Sequence, residues 1–312
     1  MSIVIIAPGK NNLQEWQAGL KKLLAEAGHN VPVYTSAEQI ENKDRVKMAI
    51  TWKHPKGSLQ SFTHLQLVAS MGAGVDHIIQ DDTISRNLKI VRVKDDQLAQ
   101  SMTEYVLAQV LAIKRRLAYF RNQQQQKVWA YTDKPEREIV VGILGLGQLG
   151  MHTAKHLQLL GIPVRGYAQS SKFLDFPTYT PEELKQFLSK VNVLICMLPL
   201  TATTNNMLNS DFFNLCNKNT ILINVARGKI VHEPDLVTAL NNGNLESAIL
   251  DVFEQEPLPE NHPFWSMPNV TITPHISSIT NPLAAIPQLA NNYINLIEGE
   301  PLKNEVSWQK QY

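Results

Sequence analysis

From Ile139 the chain runs through an apolar stretch, Ile-Val-Val-Gly-Ile-Leu144, straight into Gly145-Leu-Gly147-Gln-Leu-Gly150. Met151, Ala154 and Leu157 follow at helical spacing, and Gly161 and Pro163 close the helix. A buried strand that turns at once into a helix needs a first glycine for the tight turn. It needs a second where backbone approaches a ligand, and a third where helix and strand pack closely. Taken alone, three such glycines equally mark ordinary turns. With a strand before and a helix after, they point to a dinucleotide whose pyrophosphate faces the helix N-terminus. The cofactor positions predicted here are Gly145, Gly147, Gln148, Leu149 and Gly150.

The rest of the chain has the rhythm that such a unit requires. Strand-like runs at Ile3 to Ala7, Met48 to Trp52, Leu65 to Ser70 and Ile90 to Val93 alternate with helical stretches. A second series begins at Ile139 and continues through VRGYA, VNVLICMLP, TILINVA, AILDVF and VTITPH. This alternation predicts an α/β protein with parallel sheets, and 312 residues exceed what one core usually supports. Two lobes are expected, one Rossmann-like and one flavodoxin-like, with the active site in the cleft between them. Residues 1–99 with 283–312 form the expected substrate-binding lobe, because the helical stretch Pro282 to Leu296 can return the chain to the first lobe. Residues 100–282 form the expected dinucleotide-binding lobe. Between the two series, Gln100 to Arg121 reads as a connecting helix and the polar run NQQQQK after it as a solvated loop.

Composition narrows the partners. The net charge is +1 without long runs of one sign, so nothing marks a nucleic-acid or anionic membrane surface. No segment reaches the roughly 18 continuous apolar residues of a membrane helix. The first residues read as a buried strand rather than a signal peptide. Only two cysteines occur, Cys196 and Cys216, both expected in the core, and no ligand set has metal spacing. A cytoplasmic protein with a small-molecule partner and no metal is expected.

After the second strand of the cofactor unit, an NAD-binding protein carries an acidic residue that accepts from the ribose hydroxyls. Here that place holds Ala168, followed by Gln169, Ser170, Ser171 and Lys172. Without the carboxylate a 2'-phosphate meets no repulsion, and Ser170, Ser171 and Lys172 can donate to it, although Lys172 also suits a plain solvated loop. NADP(H) is the preferred cofactor, with NAD(H) as the alternative.

Three further strand ends carry reactive side chains. Asn224-Val-Ala-Arg227-Gly228 presents a guanidinium that can clamp a planar carboxylate through two parallel hydrogen bonds, or serve as a surface ion pair. Thr271-Ile-Thr-Pro274-His275 ends on the side chain that most readily gives and takes a proton near neutral pH. Glu256, in Asp251-Val-Phe-Glu-Gln-Glu256-Pro257, can orient that imidazole. A cation, a carboxylate and a proton donor beside a dinucleotide are what reduction of a 2-oxo acid requires.

GLGQLG, NVARG, DVFEQEPL and TPH, in that order and spacing, resemble the D-isomer-specific 2-hydroxyacid dehydrogenase family over nearly the whole chain. The resemblance implies catalysis by Arg227, Glu256 and His275, with Arg227 on the substrate's carboxylate and carbonyl and His275 protonating the carbonyl oxygen. It implies cofactor contacts from Pro199, Val225, Ala226, Arg227, Asp251 and His275, with Asp251 on the nicotinamide amide. Met71-Gly72-Ala73-Gly74-Val75-Asp76 resembles the family's substrate loop, whose backbone N–H groups bind the substrate carboxylate; it also reads as a strand-to-helix turn. Trp52 and Met102 either close a small pocket or are plain packing. TWKHP, MGAGVD and VTITPHISSIT are most similar to the bacterial glyoxylate/hydroxypyruvate reductases of this family, which implies NADPH, glyoxylate or hydroxypyruvate, and a homodimer. Gln169 departs from the basic residue that this subgroup carries. Two rival readings are a dinucleotide-sensing protein of the corepressor kind and a dehydrogenase for a larger acid such as 3-phosphoglycerate.

Overall fold

The apolar runs become the strands of two sheets in which every pairing is parallel. The computed structural model describes residues 1–131 and 136–311. They divide into two units, Met1–Leu98 with Thr280–Tyr312 and Ala99–Ile279.

In the first unit the strands are β1 (Ser2–Ile6), β2 (Val33–Tyr34), β3 (Val46–Thr51), β4 (Leu67–Ser70) and β5 (Lys89–Val91). Their order is β2-β1-β3-β4-β5, a doubly wound sheet. Helices lie over both faces, which is why the strands read as continuous apolar runs rather than as alternation. On one face Ile3, Ile5, Met48 and Ile50 pack on Trp16, Leu20 and Leu24 of α1 (Leu13–Glu26). On the other, Val4, Ala49, Val68 and Ile90 meet Ile78 and Ile79 of α2 (Asp76–Ile79).

The second unit begins within α3 (Asp96–Lys114), which is followed by α4 (Leu117–Gln125). Its strands are β6 (Val141–Leu144), β7 (Val164–Tyr167), β8 (Thr178–Tyr179), β9 (Val193–Cys196), β10 (Ile221–Asn224), β11 (Ser247–Leu250) and β12 (Val270–Ile272). The helices between them are α5 (Gln148–Leu159), α6 (Leu184–Leu188), α7 (Ser210–Leu215) and α8 (Glu233–Asn241). The order β12-β11-β10-β9-β6-β7-β8 reverses between β6 and β9, and ligands of open α/β sheets bind at the carboxyl ends of strands at such a reversal. Finally α9 (Pro282–Glu298) packs Ala285, Ile286, Leu289 and Tyr293 into the core of the first unit.

Three local expectations change. The connecting helix is two helices, because Arg116 takes a left-handed φ of +55° and ends the run. The NQQQQ stretch is mostly helix rather than loop; glutamine is a good helix former, and Gln123 donates to the Tyr119 hydroxyl one turn back at 2.8 Å. Cys196 is buried but Cys216 only partly so. Burial pushes both thiols up to about 12, which leaves them unreactive.

Candidate active site

The glycine turn between β6 and α5 is shaped by close contact at its first and third positions and open at the second. Gly145 has φ of +102°, and a Cβ there would stand 2.7 Å from the Met197 carbonyl oxygen at the end of β9. A Cβ on Gly150 would stand 2.0 Å from the Gly145 carbonyl oxygen. A Cβ on Gly147 would meet nothing within 4 Å. Gly147 and Gln148 are exposed where α5 begins, so backbone amides and the positive end of the helix dipole face solvent together. That cradle fits a pyrophosphate. Past β7, Ala168 is buried and its N–H donates to the Tyr179 carbonyl at 3.0 Å, while Ser170, Ser171 and Lys172 are exposed. The Thr178 hydroxyl donates to the Lys172 carbonyl at 2.7 Å, so the exposed loop is tied down behind its cation. Pro199 is exposed after β9, and Val225 and Ala226 are buried after β10.

The strand ends on the other side of the reversal bring three motifs together. His275 Nδ1 and Glu256 Oε2 are 2.8 Å apart, both side chains partly buried at 25% and 17% exposure. The other carboxylate oxygen of Glu256 accepts from the Phe253 N–H at 3.1 Å, which folds the DVFEQEP segment back on itself. His275 is itself left-handed, with φ of +54°, a region few residues other than glycine and asparagine adopt. What holds it is Asp251. The Asp251 carbonyl accepts from the His275 N–H at 2.8 Å, and its carboxylate accepts from the Ile276 N–H at 2.9 Å, the Ser277 N–H at 2.8 Å and the Thr273 hydroxyl at 2.5 Å. Asp251 is 0% exposed, so this buried charge is satisfied by the turn that carries His275. Thr273 also bonds the Tyr105 hydroxyl at 2.7 Å, which ties the turn to α3.

Arg227 lies just past β10, partly buried, with one Nη donating to the Ala226 carbonyl at 2.6 Å. The Asn224 side chain closes that turn by accepting from the Ala226 N–H at 3.1 Å and donating to the Arg227 carbonyl at 3.2 Å. Gly228 presses against the neighbouring loop: a Cβ would lie 1.8 Å from the Phe253 carbonyl carbon. The Arg227 turn and the Glu256 loop are therefore packed backbone on backbone. Of the residues expected from the sequence, Glu256 and His275 are paired and Arg227 lies in the turn packed on the Glu256 loop; Gly228 was not singled out, and its one signal was a glycine directly after the arginine, a sign of close approach.

In the first unit, the Ser70 hydroxyl donates to the Gly74 carbonyl at 2.6 Å and accepts from the Gly72 N–H at 3.2 Å, winding Gly72, Ala73 and Gly74 into a turn after β4. Trp52 covers that turn, its ring edge 2.9 Å from where a Gly72 Cβ would be. The Trp52 segment is anchored by His54, whose Nε2 lies 3.2 Å from buried Asp81. Burial holds the His54 imidazole below its ordinary range, against the pull of Asp81. Met102 belongs to the core of the second unit, with Val106, Val110 and Val141. Among the described residues no cluster of three metal-ligating side chains occurs, and no helix is long and apolar enough to cross a membrane.

The family model described as "D-isomer specific 2-hydroxyacid dehydrogenase, NAD binding domain" matches residues 107–277. A glyoxylate/hydroxypyruvate reductase A of Serratia proteamaculans is 38% identical over 297 residues, 93% of this chain and 93% of the relative. Among solved structures, a D-isomer specific 2-hydroxyacid dehydrogenase from Xanthobacter autotrophicus Py2 in complex with NADPH and MES superposes with a TM-score of 0.90 at 34% identity. It covers 100% of this chain and 99% of its own. An NADPH-dependent glyoxylate/hydroxypyruvate reductase of Sinorhizobium meliloti in complex with NADP and sulfate reaches 0.89 at 28% identity, with both chains fully covered.

Proposed function

The chain belongs to the D-isomer specific 2-hydroxyacid dehydrogenase family and is an oxidoreductase, and on that premise we propose that it uses NADPH to reduce small 2-oxo acids, glyoxylate to glycolate and hydroxypyruvate to D-glycerate. The observation that carries the reading is the His275–Glu256 pair at 2.8 Å, beside the Arg227 turn and in the same unit as the glycine cradle. NADPH, when bound, supplies a hydride to the carbonyl carbon. Arg227 clamps the substrate carboxylate and steadies the carbonyl oxygen as charge grows on it. The Glu256 carboxylate on Nδ1 leaves Nε2 as the atom of His275 that delivers a proton to that oxygen. In the Gly72, Ala73 and Gly74 turn the Gly72 N–H is held by the Ser70 hydroxyl, so the Ala73 and Gly74 N–H groups are the ones that serve a substrate carboxylate, and Trp52 covers the turn. Gly145, Gly147, Gln148, Leu149 and Gly150 hold the pyrophosphate, and Ser170, Ser171 and Lys172 the 2'-phosphate. Pro199, Val225 and Ala226 border the cofactor.

The test is the fall in nicotinamide absorbance when purified protein meets glyoxylate or hydroxypyruvate with NADPH or NADH. Fast oxidation of NADPH supports the reading, and no oxidation of either cofactor with either acid removes it. Ala168→Asp places a carboxylate against the 2'-phosphate and is expected to lower the NADPH to NADH ratio of kcat/KM by about tenfold or more, an electrostatic cost of roughly 1.4 kcal/mol or above. An unchanged ratio would place the ribose contact elsewhere.

A homodimer in the cytoplasm completes the reading. Trp129 and Tyr131, at 90% and 89% exposure, follow exposed Leu117, Tyr119 and Val128 along the chain, a run of exposed apolar side chains that a second copy can cover. Sedimentation is expected to give twice the chain mass, and Trp129→Glu to shift that mass toward the monomer; a wild-type monomer would end this part of the proposal.

A further inference from the structure

The turn that carries Glu256 is held by two glutamates, and only one of them has a place in the chemistry. The adjacent amides of Phe253 and Glu254 donate to different glutamates: Phe253 N–H to Glu256 Oε1 at 3.1 Å, and Glu254 N–H to Glu233 Oε1 at 2.9 Å. Each of these glutamates uses its second oxygen on a histidine. Glu256 takes His275, and Glu233 takes His262 Nε2 at 3.2 Å. His262 Nδ1 accepts from the Phe264 N–H at 3.3 Å, which fixes the tautomer with its proton on Nε2, toward Glu233.

We infer that Glu233 and His262 are positioning residues of the reductase, setting the geometry of the Glu256–His275 pair through the Phe253–Glu254 amides. Glu233 opens α8, a few residues past Arg227, so its carboxylate ties the loop that carries Glu256 to the segment that carries the cation. The pair is shielded, with side chains 18% and 12% exposed, where charge-assisted hydrogen bonds are strong. Packing alone does not hold this place. A cavity of about 350 Å³ adjoins the pair, bordered also by Lys229, Glu254, Leu258 and Pro259, so the loop has room to shift once the hydrogen bonds go. Aromatic rings link the pair to the loop: the His262 and Phe264 ring centroids are 4.5 Å apart and those of Phe253 and Phe264 6.3 Å.

This inference rests on the proposed reductase activity, and its test separates the two. In Glu233→Ala the Glu254 N–H and His262 lose their acceptor together. Turnover is expected to fall about 10- to 100-fold, the scale of an ångström-sized displacement in a preorganised site, while the NADPH dissociation constant read by fluorescence stays within about twofold. Glu233→Gln keeps one acceptor oxygen and nearly the same volume, and is expected to recover most of the rate. His262→Ala should also lose rate, and in the double variant with Glu233→Ala should add little, since the two act as one unit. A Glu233→Ala protein with wild-type turnover overturns the inference. So does a parallel loss of turnover, cofactor binding and melting temperature that Glu233→Gln fails to recover. If the wild type turns over neither acid, the reductase reading fails by itself. The imidazole nitrogen resonances of His275, assigned with His275→Ala, then decide: displaced in Glu233→Ala and largely restored in Glu233→Gln they support the positioning role, and unmoved in Glu233→Ala they end it.

Discussion

His275→Ala is expected to lower turnover by about 10²- to 10⁴-fold, the usual contribution of a general acid, with NADPH binding kept. The expectation follows from how the imidazole is held. Glu256 Oε2 sits 2.8 Å from Nδ1, which fixes the ring's orientation, and in the proposed reaction Nε2 is the atom that serves the substrate oxygen. Alanine removes the proton donor and adds a second effect, because position 275 has φ of +54° and a Cβ-bearing residue there costs of order 1 kcal/mol unless its side chain compensates. His275→Asn separates the two effects, since asparagine tolerates the left-handed region but donates no comparable proton. Both variants should lose rate alike, with melting temperature lower only in the alanine variant. Near-normal turnover in His275→Asn would take His275 out of the chemistry.

Much of this site was legible in the sequence because its signals are short and local. A glycine turn between a strand and a helix spans about ten residues, and TPH and NVARG sit directly at the ends of apolar runs. The strands were readable where burial on both faces makes them uniformly apolar, as in Ile221–Asn224 and Val193–Cys196. Two-residue β2 and β8 gave no period to read. The break between α3 and α4 rests on the backbone of Arg116, and arginine carries no marker for a left-handed turn.

What could not be read is whatever pairs across strands. Asp251 is an example. Its place at the end of β11 was visible and its resemblance-based role was the nicotinamide amide, yet its carboxylate accepts from residues 22 to 26 positions further on. Only the parallel pairing of β11 with β12 brings them together. Glu233 and His262 are separated in the same way, and each looks like an ordinary surface residue in the linear sequence. The local motifs were therefore legible, whereas the contacts that support them across strands were not.

Gly228 makes the sharpest test of those supporting contacts. Its φ is unremarkable, so the glycine is there for space alone: a Cβ would stand 1.8 Å from the Phe253 carbonyl carbon and 2.1 Å from its oxygen, well inside any real contact. The obstacle is backbone, which cannot rotate away as a side-chain tip can. Gly228→Ala must push the Arg227 turn and the Glu256 loop apart. Overpacking of this kind costs about 3 kcal/mol or more, which for a domain of this size lowers the melting temperature by roughly 6–12 °C. Because the same shift separates Arg227 from the Glu256–His275 pair, turnover should drop by about 10²-fold even well below the melting temperature. Gly147→Ala is the control, since a Cβ there meets nothing within 4 Å: it should leave the melting temperature unchanged and raise only the KM for NADPH. If Gly228→Ala melts and turns over like the wild type, the two loops are not coupled through this contact, and the arrangement of Arg227 against Glu256 must be set elsewhere.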